Sequence, residues 1–164
     1  QLLKAEKMKI KIILLTSLIL MTFSSYSQYT GATPWSNCFG KNASCDYGCS
    51  GIKVNTSSSS PVVAIVKRYD KVVKHAYISA GSSYTFEVKD GTYQVFFYYG
   101  TSWNKNKKMQ SSECSSLYGG WNLNENFDKD DGTITLKGQI MSYTLSSRVN
   151  GNFQTTDSSI EEAL

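Results

Sequence analysis

Few side chains in this sequence could do chemistry, and they are widely spaced. There is a single histidine, His75, in "VVKHAYISA". A nucleophile–histidine–acid arrangement would need it, yet "GCSGI" (Gly48 to Ile52) is not the G-x-S-x-G of a nucleophile elbow. His75 therefore reads as a strand residue on a sheet face. The sequence holds no H-E-x-x-H, no Walker loop and no G-x-G-x-x-G. Glu87 and Glu113 could make a glycosidase pair only across a cleft, about 5 or 6.5–9.5 Å apart. No catalytic residue and no cofactor are expected, and the chain is read as a non-enzyme.

Asp128, Asp130 and Asp131 in "NENFDKDDG" (Asn124 to Gly132) are hard oxygen donors that suggest calcium. Aligned as an EF-hand loop, Asn126, Asp128 and Asp130 put Gly132 one place late and Lys137 where the bidentate Glu belongs. An acidic turn is the expectation, with a loop-type calcium site at these three aspartates as the alternative. Cys38, Cys45, Cys49 and Cys114 are spaced C-x6-C-x3-C with a distant fourth, unlike the paired knuckles of zinc sites. Disulfides are expected, and spacing leaves all three pairings open. Cys114 must join one of the clustered three, closing a loop of about 65 to 76 residues and stabilising by roughly 4 kcal/mol.

Aromatic rings are the remaining resource. "KDGTYQVFFYYGTSW" (Lys89 to Trp103) puts Tyr93, Val95, Phe97 and Tyr99 on one strand face and Phe96 and Tyr98 on the other. One face is core. The other is either covered by residues 101–132, anchored by Trp103 or Trp121, or carries an exposed ring platform. Such a platform of Tyr98, Trp103, Tyr118 and Trp121 could stack on the C–H faces of sugars or meet a protein partner.

These residues must be positioned by short β-elements. "GIKVNT", "VVAIVKRY", "VVKHAYISA", "YTFEVK", "TYQVFFYY", "TITLKG" and "IMSYTLSSRV" alternate or run apolar as strands do, separated by Ser, Pro, Gly and Asp. In the last, Met141, Tyr143, Leu145 and Val149 share a face. Asp90-Gly91 is the dipeptide best suited to a two-residue type I′ turn, so Tyr84–Lys89 and Thr92–Tyr99 are expected to pair as a hairpin. Six or seven such strands predict an all-β fold, an antiparallel β-sandwich. The sandwich is expected over residues 52–150, behind a disulfide-pinned, Cys-rich irregular cap at 28–51. It would carry one long insertion loop at 101–132 and a polar tail at 151–164, with a short helical turn at Ser159 to Ala163.

The first 27 residues are set apart. From Met8, Lys9 and Lys11 precede an apolar run from Ile12 to Phe23, and Ser25-Tyr26-Ser27 offers small residues for cleavage before Gln28. That is the layout of a secretory signal peptide. Gln1 to Lys7 read as an upstream extension. The run is too short for a membrane span, which needs about 20 apolar residues, and no cysteine follows the cleavage point to carry a lipid. The formal charge is +4, but Lys4, Lys7, Lys9 and Lys11 against Glu6 supply three of those charges. The remaining chain is nearly neutral, so neither nucleic acid nor an anionic membrane is expected as partner. Its length of about 137 residues suits one domain.

"AYISAGSSYTFEVKDGTYQVFFYYG" resembles the strand–turn–strand segment of PEGA-like and carboxypeptidase-regulatory-like (transthyretin-like) β-sandwich modules, in which a "G-x-Y-x-V" strand recurs. The "DGTYQ-FFYYG-W" stretch with an N-terminal Cys cluster also resembles uncharacterised small secreted proteins of Bacteroidetes-type bacteria. The likeness implies a sandwich fold and carries over no catalytic residue. The expected function is a secreted or periplasmic binding or adhesion module for a glycan or an envelope or extracellular protein. A secreted hydrolase, or an inhibitor of one, is the alternative.

Overall fold

The alternating stretches become strands, as their β-branched and aromatic residues favour. In the computed structural model, residues 28–146 and 154–164 are described; the expected leader and Val149 lie outside them. The strands are β1 (Cys49–Asn55), β2 (Val62–Arg68), β3 (Lys71–Ile78), β4 (Ser83–Lys89), β5 (Gly91–Lys108), β6 (Tyr118–Asp130), β7 (Ile134–Leu136), β8 (Ile140–Thr144) and β9 (Thr155–Ser158). Helix α1 (Ser36–Phe39) precedes them and α2 (Ile160–Ala163) follows. They form a β-sandwich of a three-stranded sheet, β4-β1-β8, and a larger sheet, β3-β2-β5-β6-β9, with β7 pairing to β5.

The first six residues of β2 are all buried because its sheet is covered on both faces. Val62, Ala64 and Val66 meet Ile52, Val54, Phe86, Val88 and Tyr143 of the smaller sheet. Val63 and Ile65 point the other way, into a second core with Trp35, Tyr98, Leu117, Trp121 and Phe127. The split of β5 follows its alternation: Tyr93, Val95 and Phe97 lie in the first core, Phe96 and Tyr98 in the second. Burying a side chain of Phe size contributes roughly 1.5–3 kcal/mol, so two such rings left in water would forgo several.

Three expectations are corrected. The hairpin at Asp90-Gly91 does not form: β4 pairs with β1, and β5 with β2 and β6. Phe86 and Val88 face Val95 and Phe97 across the interior, where stacked sheets bury both apolar faces at once. Asp90-Gly91 is instead the corner where the chain changes sheets. Secondly, the sandwich is not wholly antiparallel, since β8 runs parallel to β1.

Thirdly, most of residues 101–132 is strand rather than loop. β5 and β6 continue as a ribbon that pairs Trp103 with Trp121 and Lys108 with Tyr118, leaving 109–117 as the connection. One side of that ribbon is solvated and the other touches the core only at intervals, so its sequence shows no apolar period. Its register shifts between Tyr99 and Thr101, which brings Trp103 onto the face of Tyr98. Gly100 permits this close crossing, as a Cβ there would lie 2.5 Å from that of Trp121.

The cap is disulfide-pinned and the tail carries a helical turn, as expected, and both are built into the same body. Trp35 is fully buried, its Nε1 donates to Gly119 O at 2.9 Å, and Cys38 is bonded to Cys114. The second bridge is Cys45–Cys49. At the other end of the chain β9 pairs with β6, Ser159 caps α2, and Ala163 and Leu164 are buried in the second core.

Candidate functional site

The four rings of the expected platform are not assembled on the surface. Tyr98 is 0% and Trp121 2% exposed. The Tyr98 hydroxyl donates to Glu125 Oε1 at 2.7 Å and accepts from Trp121 N at 2.8 Å, and its ring stacks on Phe127 at 4.3 Å. Burial, with Glu125 as acceptor, pushes the phenol far above its ordinary pKa. Trp103 is half-buried, edge-on to Trp121 at 4.9 Å and Tyr77 at 5.6 Å. Tyr118 alone is well exposed, at 46%. Aromatic clustering in sequence marked the core that the cap, the ribbon and the C-terminal segment cover together.

The aspartates are also otherwise engaged. Asp128 Oδ2 accepts from the Tyr99 hydroxyl and Asp130 Oδ2 from the Tyr143 hydroxyl, each at 2.6 Å. Asn126 Nδ2 donates to both Tyr99 Oη and Asp128 Oδ1 at 3.0 Å. Alternation in β6 points Asp128 and Asp130 toward these tyrosines, while Asp131 is exposed beyond the strand. Among the described residues no three His, Cys, Asp or Glu side chains form a group that could hold a metal. The four cysteine sulfurs are consumed in the two disulfides.

His75 is 1% exposed, between Trp35 and Phe39, with Nε2 3.1 Å from Gly40 O. Burial lowers its pKa to about 4, against a weaker upward pull from that carbonyl, so the ring is neutral at pH 7. Asn42 spans its backbone, donating to His75 O at 2.9 Å and accepting from His75 N at 3.1 Å, and so covers this part of the β3 edge. Beside it lies a shallow pocket of ≈ 230 Å³ lined by Asn42, Lys74, Tyr84 and Glu87. Its charged groups are engaged locally: Lys74 donates to Ala43 O, and Glu87 accepts from Cys45 N.

The strongest exposed chemistry lies at the sandwich end that holds the Asp90 corner. Register pairs Arg68 with Lys71 across a two-residue turn. Its residues, Tyr69 and Asp70, have φ of +51° and +59°. This is the two-residue geometry with both φ positive that was expected at Asp90-Gly91, and it normally takes Asn-Gly. Tyr69 is 83% exposed. The Arg68 guanidinium lies between rings, 5.2 Å from the centre of Tyr69 and 5.5 Å from that of Tyr93. It also donates to Asp90 O at 3.4 Å.

Asp90 ties this turn to two others. Its N–H donates to Gly48 O at 2.7 Å, and its Oδ1 accepts from Ser50 Oγ at 2.6 Å and Gly138 N at 2.9 Å. Those bonds, Ser50 first and Gly138 second, hold the carboxyl below its ordinary pKa. Tyr47, 89% exposed, sits in the neighbouring Cys45–Cys49 loop, one residue before Gly48. Two exposed phenol rings are thus presented on turns tied to Asp90, one through its N–H to Gly48 O and the other through the Arg68 guanidinium to its carbonyl. The sequence signals for this end are an aromatic within C-x3-C and an aromatic at the tip of "KRYDK"; neither stands out before the strands are paired. Comparison with protein-family models, curated proteins and solved structures finds no match.

Proposed function

We propose that the protein is an exported, non-enzymatic binding module. Its ligand, a glycan or an envelope or extracellular protein, meets the turn end through Tyr47 and Tyr69. The observation that carries this reading is the Tyr69 turn. A bulky residue with positive φ is an outlier that costs on the order of 1 kcal/mol or more and clusters at functional positions. Here the strained residue holds its ring in water, where burial returns little. Tyrosine provides a large, rigid contact with one apolar face and one polar tip at small entropic cost, the quality that suits it to recognition loops on sandwich scaffolds. The convex shape of a turn favours an extended surface over a small molecule.

Two disulfides suit an oxidising compartment. Among the described residues no helix is long and apolar enough to cross a membrane. The disulfides support export, as does the leader-like pattern at Met8–Ser27. The non-enzymatic reading is supported by His75, which is packed between aromatic rings, and by Asp128 and Asp130, which are engaged by tyrosines.

The test is binding of the purified protein to a polysaccharide panel and to isolated envelope proteins, with three variants beside the wild type. Tyr69→Ala and Tyr47→Ala are each expected to weaken binding at least tenfold, about 1.4 kcal/mol, while Tyr118→Ala leaves it unchanged. Binding that survives both turn variants and disappears with Tyr118→Ala would move the site to the ribbon.

A further inference from the structure

The two disulfides differ in ways that matter for exchange chemistry. Cys38–Cys114 joins positions 76 residues apart, and both cysteines are half-buried against the second core beside Trp35 and Leu117. Around it, Trp35 Nε1 is bonded to Gly119 O and Asn37 Nδ2 to Ser116 O. These contacts hold cap and ribbon together around the bridge, and neither of its cysteines is exposed. Cys45–Cys49 joins positions 4 residues apart; Cys45 is half-buried like Cys38 and Cys114, but Cys49 is exposed. Opening it leaves both flanks in place: Cys49 is already paired with Lys89 in the β1–β4 ladder, and Asp90 N still donates to Gly48 O. Only the stretch holding Asp46 and Tyr47 gains freedom.

We propose that Cys45–Cys49 is a thiol–disulfide exchange site, opened in the folded protein by an external dithiol, with Cys38–Cys114 as the structural bridge. The dithiol's thiolate attacks the exposed Cys49 Sγ. The Cys45–Cys49 bond breaks, a mixed disulfide forms, and Cys45 leaves as the thiolate and takes up a proton. The second thiol of the reductant then attacks its own sulfur in the mixed disulfide and releases Cys49. Two electrons and two protons pass to the protein, and the dithiol becomes a cyclic disulfide. Accessibility sets the order of attack, since exposed disulfides are the labile ones. The consequence rests on the turn-end reading above. With the five-residue ring open, Tyr47 loses its fixed position, and binding that uses it weakens.

Dithiothreitol is added to the native protein, aliquots are quenched with iodoacetamide, and labelled peptides are identified by mass. Labelling of Cys45 and Cys49 is expected at least about tenfold faster than labelling of Cys38 and Cys114, with the near-ultraviolet aromatic dichroism unchanged. Simultaneous opening of both bridges, first opening of Cys38–Cys114, or labelling only as the aromatic signal collapses overturns the exchange site. Binding is then measured for the reduced protein and for Cys45→Ser/Cys49→Ser. Loss matching that of Tyr47→Ala supports control of the site by this bridge. Selective labelling with unchanged binding removes the control and leaves the exchange site. Failure of Tyr47→Ala itself to alter binding removes the turn-end reading alone.

Discussion

His75 is the one residue that a nucleophile–histidine–acid site would need, and its surroundings set it to a structural role. Its neutral ring fills the space between Trp35, Phe39 and the Gly40 carbonyl. The folded pKa of about 4 lies below the ordinary 6.5. The contribution to stability is therefore whole above about pH 6.5 and is lost as pH falls toward 4, by up to about 3 kcal/mol. His75→Gln, which keeps a donor near Gly40, is expected to be less stable at pH 7. Its urea midpoint should fall less than the wild type's between pH 6.5 and 4. Equal falls in the two proteins would assign the acid sensitivity to other groups. That His75 sits in a strand could be read from "VVKHAYISA"; that it is dry could not, because its cover comes from residues 35–42, more than thirty positions earlier.

At the scale of elements, pairing overruled local turn preference. Asp90-Gly91 has the composition of a hairpin turn, yet its flanking strands pair with other strands and bury their apolar faces in one core between the two sheets. The two-residue turn with both φ positive falls at Tyr69-Asp70, where composition disfavours it. Replacing Tyr69 with Asn, which tolerates this backbone region, is expected to stabilise the protein by up to about 1 kcal/mol, after losing the ring's contact with Arg68. The same change should weaken ligand binding. A chemical-denaturation midpoint that moves down would show that the turn is not held under strain. The apolar run of β2 was readable because both its faces meet a core, and the two faces of β5 because its rings alternate between them. The ribbon of β5 and β6 beyond Gly100 was not, because within its paired strands only Trp103 and Trp121 pack on the core and the other large side chains are polar or exposed.

For the molecule as a whole, the second core decides how the parts are held together. Cap, ribbon and C-terminal segment each give it a few apolar side chains: Ala32 and Trp35, Met109, Leu117 and Trp121, and Ala163 and Leu164. None could bury them alone. Cys38–Cys114 crosses this assembly, and its loss in Cys38→Ser/Cys114→Ser is expected to cost roughly 4 kcal/mol, against about 2 kcal/mol for Cys45→Ser/Cys49→Ser. Urea unfolding of the two double variants measures the difference, and equal losses would contradict the loop-length argument. The sequence alone determined the all-β class, the apolar run of β2, the faces of β5 and the use of cysteine for disulfides, since alternation and residue chemistry are local. Strand partners, cysteine pairing, the burial of Tyr98 and Trp121 and the gathering of Tyr47, Arg68, Tyr69 and Asp90 at one end were decided by tertiary structure. They depend on contacts between residues tens of positions apart, chosen by which faces bury the most apolar surface together, and no local pattern records that choice.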